Sequence, residues 1–251
     1  MKKLILLLCL LVIFLKHQAQ VVNIEQARIR MDSLGWAGML NGTFSAQKYR
    51  DVFYNAALRG VIQHKMDREL WLLLVDAGIS VADQVQLNNN SLIHVRNNYE
   101  LKSWVRWESF AQVQQNRLLG LQRRHLCGTG PRFVIWDDDR FRLFTGTLAM
   151  VELEKIRGGT KSEWFGRASG YISWSFNDPG KWAFSSTTYF QPIMNRLADH
   201  RWAGQHAFSW ALNHNWSMRV ELTHFYDSRP PKDIVKSTFN TFIGVTYDID
   251  G

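Results

Sequence analysis

Between Ser103 and Gln115 the chain reads SWVRWESFAQVQQ, an order that alternates too regularly for a helix. In a strand, successive side chains point to opposite faces. Val105, Trp107, Ser109, Ala111 and Val113 then share one face, and Arg106, Glu108, Phe110, Gln112 and Gln114 share the other. The same two-residue period recurs along nearly the whole chain. Bounded by turn residues, it predicts about twelve strands, over 35–45, 52–63, 69–79, 91–98, 103–114, 122–135, 141–153, 166–176, 182–191, 202–212, 216–225 and 237–248. After residue 20 no apolar run reaches the length of a spanning helix. A chain with 46% hydrophobic residues and 11 tryptophans is therefore all-β, either soluble or a membrane barrel.

Residues 1–20, MKKLILLLCLLVIFLKHQAQ, carry two lysines, an apolar run and a short polar end. This is the pattern of a secretory signal, cut near Ala19 or Gln20. Leu4 to Leu15 is too short to remain as a comfortable membrane anchor. Removing Lys2, Lys3 and Lys16 lowers the net charge from +8 to +5. Only Cys127 then remains, so the exported chain has no internal disulfide and must hold together without one. A lead over 21–34 precedes one barrel domain over 35–251, and no linker or repeat divides the chain further.

The links and the lysines bear on which face is wet. After even-numbered strands the expected links are tight: HKMDR, NYEL, WDDD, NDPGK and NHN. After most odd-numbered strands they are longer: 80–90, 115–121, 154–165, 192–201 and 226–236. Tight turns at one end, longer loops at the other and an even strand count are the pattern of an outer-membrane barrel with both termini in the periplasm. Every lysine after residue 20 falls in a turn, a loop or a strand end, whereas soluble sheets usually display lysine along their solvent face. The polar face carries Ser169, Tyr171, Ser173, Thr187, Gln191 and Gln205. The opposite face carries Trp71, Trp174, Trp182, Phe208, Trp210 and Trp216, close to the tight turns, where an interfacial aromatic belt would sit. The competing reading makes these the core aromatics of a soluble sandwich. Strands crossing hydrocarbon must form a closed ring, because each unpaired N–H or C=O there costs several kcal/mol.

The run HVRNNYELKSWVRWESFAQVQQNRLLGLQRRHLCGTGPRF, residues 94–133, resembles the family known as domain of unknown function 481, also described as salt-induced outer membrane proteins. The resemblance rests on Arg96, Asn98-Tyr99-Glu100-Leu101, Phe110-Ala111-Gln112, and Arg124 followed by Gly128, Gly130 and Arg132; Glu152 and Glu154 fit its continuation. It implies a closed antiparallel transmembrane β-barrel and no established activity. Barrel chains commonly end on an aromatic residue used by the assembly machinery, whereas here Tyr247 is followed by DIDG.

Strand phase places Arg59, Arg96, Arg106, Arg124, Arg132, Arg142, Arg167 and Arg219 in the lumen, against Asp76, Glu108, Glu152 and Glu221. A charge facing lipid at the bilayer midplane would cost about 2–4 kcal/mol, which supports this phase. The expected solute-contact set is Arg59, Arg96, Arg106, Glu108, Gln112, Arg124, Arg132, Glu152, Arg219 and Glu221. Within it an Arg124–Glu152 pair is expected, with Gly130 and Gly146 leaving room for long side chains. Two readings remain open: a basic constriction that passes or binds small anionic solutes, or a salt-bridged plug in a structural or envelope-stress barrel. A third is a lipase or deacylase with a Ser–His pair facing lipid, since His206 and His224 point outward, although no Ser sits in a nucleophile motif. Asp137, Asp138 and Asp139 read as a solvated turn, because three consecutive carboxylates cannot all point at one calcium ion. Nothing in the sequence suggests a cofactor, a zinc site or a nucleic-acid partner. The expected partners are outer-membrane lipid, the barrel-assembly machinery and small solutes.

Overall fold

The alternation around Trp107 does form a strand, and its neighbours extend it into one sheet. In the computed structural model, which describes residues 34–48, 52–83, 85–213 and 216–247, twelve strands follow in chain order. They are β1 Gly35–Lys48, β2 Val52–Lys65, β3 Glu69–Ala82, β4 Val85–Lys102, β5 Val105–Asn116, β6 Leu121–Asp137, β7 Phe141–Ile156, β8 Glu163–Asp178, β9 Trp182–Ile193, β10 Arg196–Ala211, β11 Trp216–Asp227 and β12 Ser237–Tyr247. Each pairs antiparallel with the next, in the order β1 to β12. The signal expected over 1–20 and, apart from Leu34, the lead over 21–34 lie outside the described residues.

The strands run longer than their sequence pattern suggests, mainly at the ends joined by odd-numbered links. The stretch 80–90 was expected as a loop, but Val85 to Asn90 is the first part of β4, and the turn is reduced to residues near Asp83, whose φ is +45°. Likewise β10 begins at Arg196, and β5 and β6 shorten the link expected over 115–121 to 117–120. The expected contrast in loop length therefore survives only at 157–162 and 228–236. The cause is chemical: Asn, Asp and Gln clustered together carry the composition of a turn, yet the same side chains suit the polar side of a strand.

The sheet curls. Tyr171 on β8 donates to Glu108 on β5 at 2.7 Å, and Arg201 on β10 donates to Glu152 on β7 at 2.8 Å. Side chains three strands apart can meet only across a concave surface. Asn41 on β1 and Asn240 on β12 line one shared cavity, so the two edge strands look onto the same space.

The two faces are inverted relative to a soluble sandwich. Glu108 on the inner face is fully buried, while its neighbour Trp107 is 42% exposed on the outer face. All eleven tryptophans are exposed; nine cluster at the end of the even-numbered links, and Trp164 and Trp202 lie at the other end. Polar groups on the outer face find partners within the sheet: Trp107 Nε1 donates to Thr129 Oγ1 at 2.8 Å, and Thr145 Oγ1 donates to the Tyr171 carbonyl at 2.9 Å. At the turn after β6, the Asp138 carboxylate accepts from Trp136 Nε1 and from the backbone N–H of Arg140 and Phe141. These bonds, that from Trp136 foremost, hold its pKa below the usual carboxylate value. Asp138 thus staples a turn, as its place among three aspartates suggests.

Gly130 marks the closest approach of two strands. A Cβ there would collide with the Thr147 backbone oxygen, which no rotamer change can move. Gly130→Ala is accordingly expected to disrupt the β6–β7 ladder and abolish refolding in detergent, read as loss of β-sheet circular dichroism; unchanged folding would refute this packing.

Candidate functional site

The inner face is filled in tiers, each set by strand register. At the end of the even-numbered links, Arg106 lies 3.7 Å from Glu100 and 3.8 Å from Asp137, and Arg142 lies 3.1 Å from Asp137. Two residues further along β5, Glu108 faces Arg96 and Arg132, each at 3.5 Å, and accepts from Tyr171 Oη. Arg132 also donates to Tyr171 Oη at 3.1 Å, and its guanidinium stacks 4.1 Å from the Phe144 ring. Gly146 lies opposite Arg132, and the Tyr171 ring packs directly on it; Gly128 in turn carries the Phe110 ring. Gly146 makes room for a long side chain, as expected, and so does Gly128, whereas Gly130, expected to do the same, lies against the backbone of β7.

Above this tier the interior turns apolar. Leu148, Tyr171, Tyr189, Ala203 and Phe225 are buried together, and Val61, Leu72, Leu74 and Leu92 form a second buried cluster across the interior. His94, stacked on Phe110 at 5.3 Å and hydrogen-bonded to Gln112 at 2.9 Å, stands between them. Together they make a septum.

Beyond the septum lies the densest charge group. Arg201 reaches Glu152 at 2.8 Å, Glu154 at 2.9 Å and Asp227 at 2.8 Å. Arg167 lies 3.6 Å from both Glu152 and Asp199. The expected Arg124–Glu152 pair is replaced: register sets Arg124 against Glu154, its guanidinium donates to Gln114, and Arg201 and Arg167 hold Glu152. The loop over 228–236 covers this group, with Ile234 and Pro231 packed against Gly120, whose φ of +68° lies in the left-handed region that favours glycine.

All ten expected solute-contact residues thus lie on the inner face, but they do not converge on one constriction. Arg59 pairs with Asp76 at 3.8 Å, and Arg219 with Glu221 at 2.6 Å, far from the Glu108 group. Carboxylates accompany most of the guanidiniums, so the inner face carries a near-balanced set of pairs rather than a ring of arginines alone. Arg201, Glu154, Asp199 and Asp227 escaped sequence reading because they sit at strand ends within stretches read as loops.

A cavity of about 230 Å³ lies on the inner face beside the Arg201 group, at the end of the odd-numbered links. Asparagines from β1, β2, β4, β5 and β12 line it, together with the Arg59–Asp76 pair. The sequence signal was there in the run Asn88-Asn89-Asn90, read as loop. On the next rung toward the even-numbered links, Val61, Leu74 and His94 are buried beneath it.

On the outer face, His206 and His224 do come together, their rings stacked at 5.5 Å, and Ser186 Oγ lies 2.9 Å from His206 Nδ1. Among the described residues no carboxylate or carboxamide meets either imidazole, and no group of His, Cys, Asp and Glu is arranged to hold a metal ion.

The model of the family "Protein of unknown function, DUF481" matches residues 55–249. No curated protein matches the sequence. Among solved structures, the chain is similar to a KdgM porin at 12% identity, covering 86% of this chain and 99% of that one with a TM-score of 0.44. It is also similar to a NanC porin at 10% identity, covering 84% and 99% with a TM-score of 0.48. OccK11 (OpdR) of Pseudomonas aeruginosa matches at 7% identity, covering 86% and 84% with a TM-score of 0.38.

Removing one member of a buried ion group leaves the others desolvated and uncompensated, at a cost of about 3–5 kcal/mol. Glu152→Gln is expected to lower unfolding stability by that amount in a urea titration in micelles, whereas Arg219→Gln, on a half-exposed pair, should cost less than about 1 kcal/mol. Equal losses would contradict the ranking.

Proposed function

The chain belongs to the DUF481 family of proteins of unknown function, and we propose that it is an outer-membrane β-barrel with a filled lumen and a blind pocket for small solutes. Residues 1–20 export it, the barrel-assembly machinery inserts it, and β12 closes onto β1 to leave no strand edge in hydrocarbon. Its termini and even-numbered links lie in the periplasm, and the 230 Å³ cavity opens to the exterior.

The observation that carries this reading is the inversion of the two faces: tryptophans outside, and inside a fully buried glutamate held by two arginines and a tyrosine. Lipid explains the first and an enclosed polar interior the second. The apolar septum and the paired guanidiniums favour binding over free passage. The purified chain should require detergent, show heat-modifiable mobility on gels, and give no discrete conductance steps in planar bilayers. Monodispersity without detergent would refute the membrane assignment, and ohmic steps would refute the filled lumen.

The Ser186–His206 contact favours a second reading, an outward-facing lipid hydrolase. Fatty-acid release from phospholipid micelles that vanishes in Ser186→Ala would establish it; release unchanged by that substitution, or absent from folded protein, would exclude it.

A further inference from the structure

We infer that the cavity bounded by Asn41, Asn55, Asn88, Asn90, Asn116 and Asn240 binds a neutral polyhydroxylated solute, a single sugar ring or a polyol of that size. The inference rests on the proposed lumenal pocket and names what it takes. A carboxamide both donates and accepts, as a hydroxyl does, so a set of them matches alternating hydroxyls without imposing charge. The Asn55 oxygen accepts from Ser80 Oγ at 2.9 Å and the Asn116 oxygen from the Leu119 N–H at 3.1 Å, which leaves their amide groups as donors toward the cavity.

Asn88 supplies the complementary acceptor. Its amide donates to Asn90 Oδ1 at 3.1 Å, but its own Oδ1 has no protein partner although the residue is only 7% exposed. A buried carbonyl left in that state lacks the donor that water would give it, and a ligand hydroxyl in the cavity would supply one. Asn90 is held in place on two sides. It donates to Asp76 at 3.3 Å, and Gly78 makes room for it, since a Cβ at that position would lie 2.7 Å from Asn90 Oδ1.

Charge and size argue against other ligand classes. Among the described residues the one guanidinium and the one carboxylate in the lining face each other at 3.8 Å, so neither a free anion nor a cation meets an uncompensated partner there. The volume of about 230 Å³ is roughly eight waters at about 30 Å³ each, room for one ring and not for a chain of them. Leu92 supplies an apolar patch on the lining for the C–H face of such a ring.

The test is saturation-transfer NMR on the full exported chain in lauryldimethylamine oxide micelles, a detergent without a sugar headgroup. D-galactose, sorbitol, maltotriose, sodium gluconate and glucosamine serve as probes. D-galactose and sorbitol should give saturable signals that are insensitive to added salt. Maltotriose should show saturation on a terminal ring only, and the two charged probes should bind no tighter than D-galactose. Asn88→Leu and Asn240→Leu, on opposite sides of the cavity, should each weaken D-galactose by roughly tenfold, as expected for the loss of about one well-made hydrogen bond. No saturable signal from any neutral probe, gluconate or glucosamine binding tenfold tighter, or wild-type affinity in both variants would each overturn the inference. If any of these occurs while the protein still needs detergent and stays silent in bilayers, only the ligand assignment fails. Loss of those properties would remove the pocket's setting itself.

Discussion

A guanidinium withdrawn from water costs several kcal/mol unless carboxylates and hydrogen-bond acceptors replace its hydration. The inner face of this sheet is arranged around that cost. Arg201 meets three carboxylates, each on a different register position of β7 or β11, and Glu108 is matched by two arginines and a tyrosine drawn from β4, β6 and β8. Two of these links, Tyr171 to Glu108 and Arg201 to Glu152 and Glu154, join strands three apart in the chain. They therefore set how tightly the sheet curls as well as how its interior is filled. Replaced by alanines, they would leave a wide and collapsible space. Replaced by single charges, they would leave ions that nothing solvates.

From that filling follows the division of the interior. The Glu108 group, the apolar septum and the Arg201 group stack along one side, whereas the side lined by β1 to β5 and β12 keeps an open polar cavity with the septum as its floor. A through-channel would need a continuous wet path past Tyr171, Tyr189 and Phe225. A blind pocket needs only the space the asparagines already enclose. The near balance of arginine and carboxylate also removes the electrostatic reason to expect anion preference, because a charge paired at 2.8 Å offers little field to a passing solute.

Much of this was legible in the sequence because a period of two is hard to imitate by chance. The alternation around Trp107 placed Arg106, Glu108, Gln112 and Gln114 on one face, and the register confirms each of them. Where the period breaks, reading failed. Val85 to Asn90 carries three asparagines that suggest a turn, although Asn88 and Asn90 point inward from a paired strand. Arg201 and Asp227 lie where β10 and β11 approach loops, so nothing local gave their phase. The inward Leu72 and Leu74 are hard to read for the opposite reason: the run 70–75 is apolar at every position, so alternation within it says little about which side is inner.

Everything else depends on which side of each strand meets hydrocarbon, and Cys127 reports on that directly. It is exposed on the outer face of β6, between His125 and Thr129. With Cys9 substituted by Ser it is the sole thiol. Labelled there with bimane and inserted in vesicles, the protein should be quenched by lipids brominated deep in their acyl chains and shielded from aqueous iodide. Quenching by iodide with no response to the brominated lipids would place water on the tryptophan face and contradict the account at its centre.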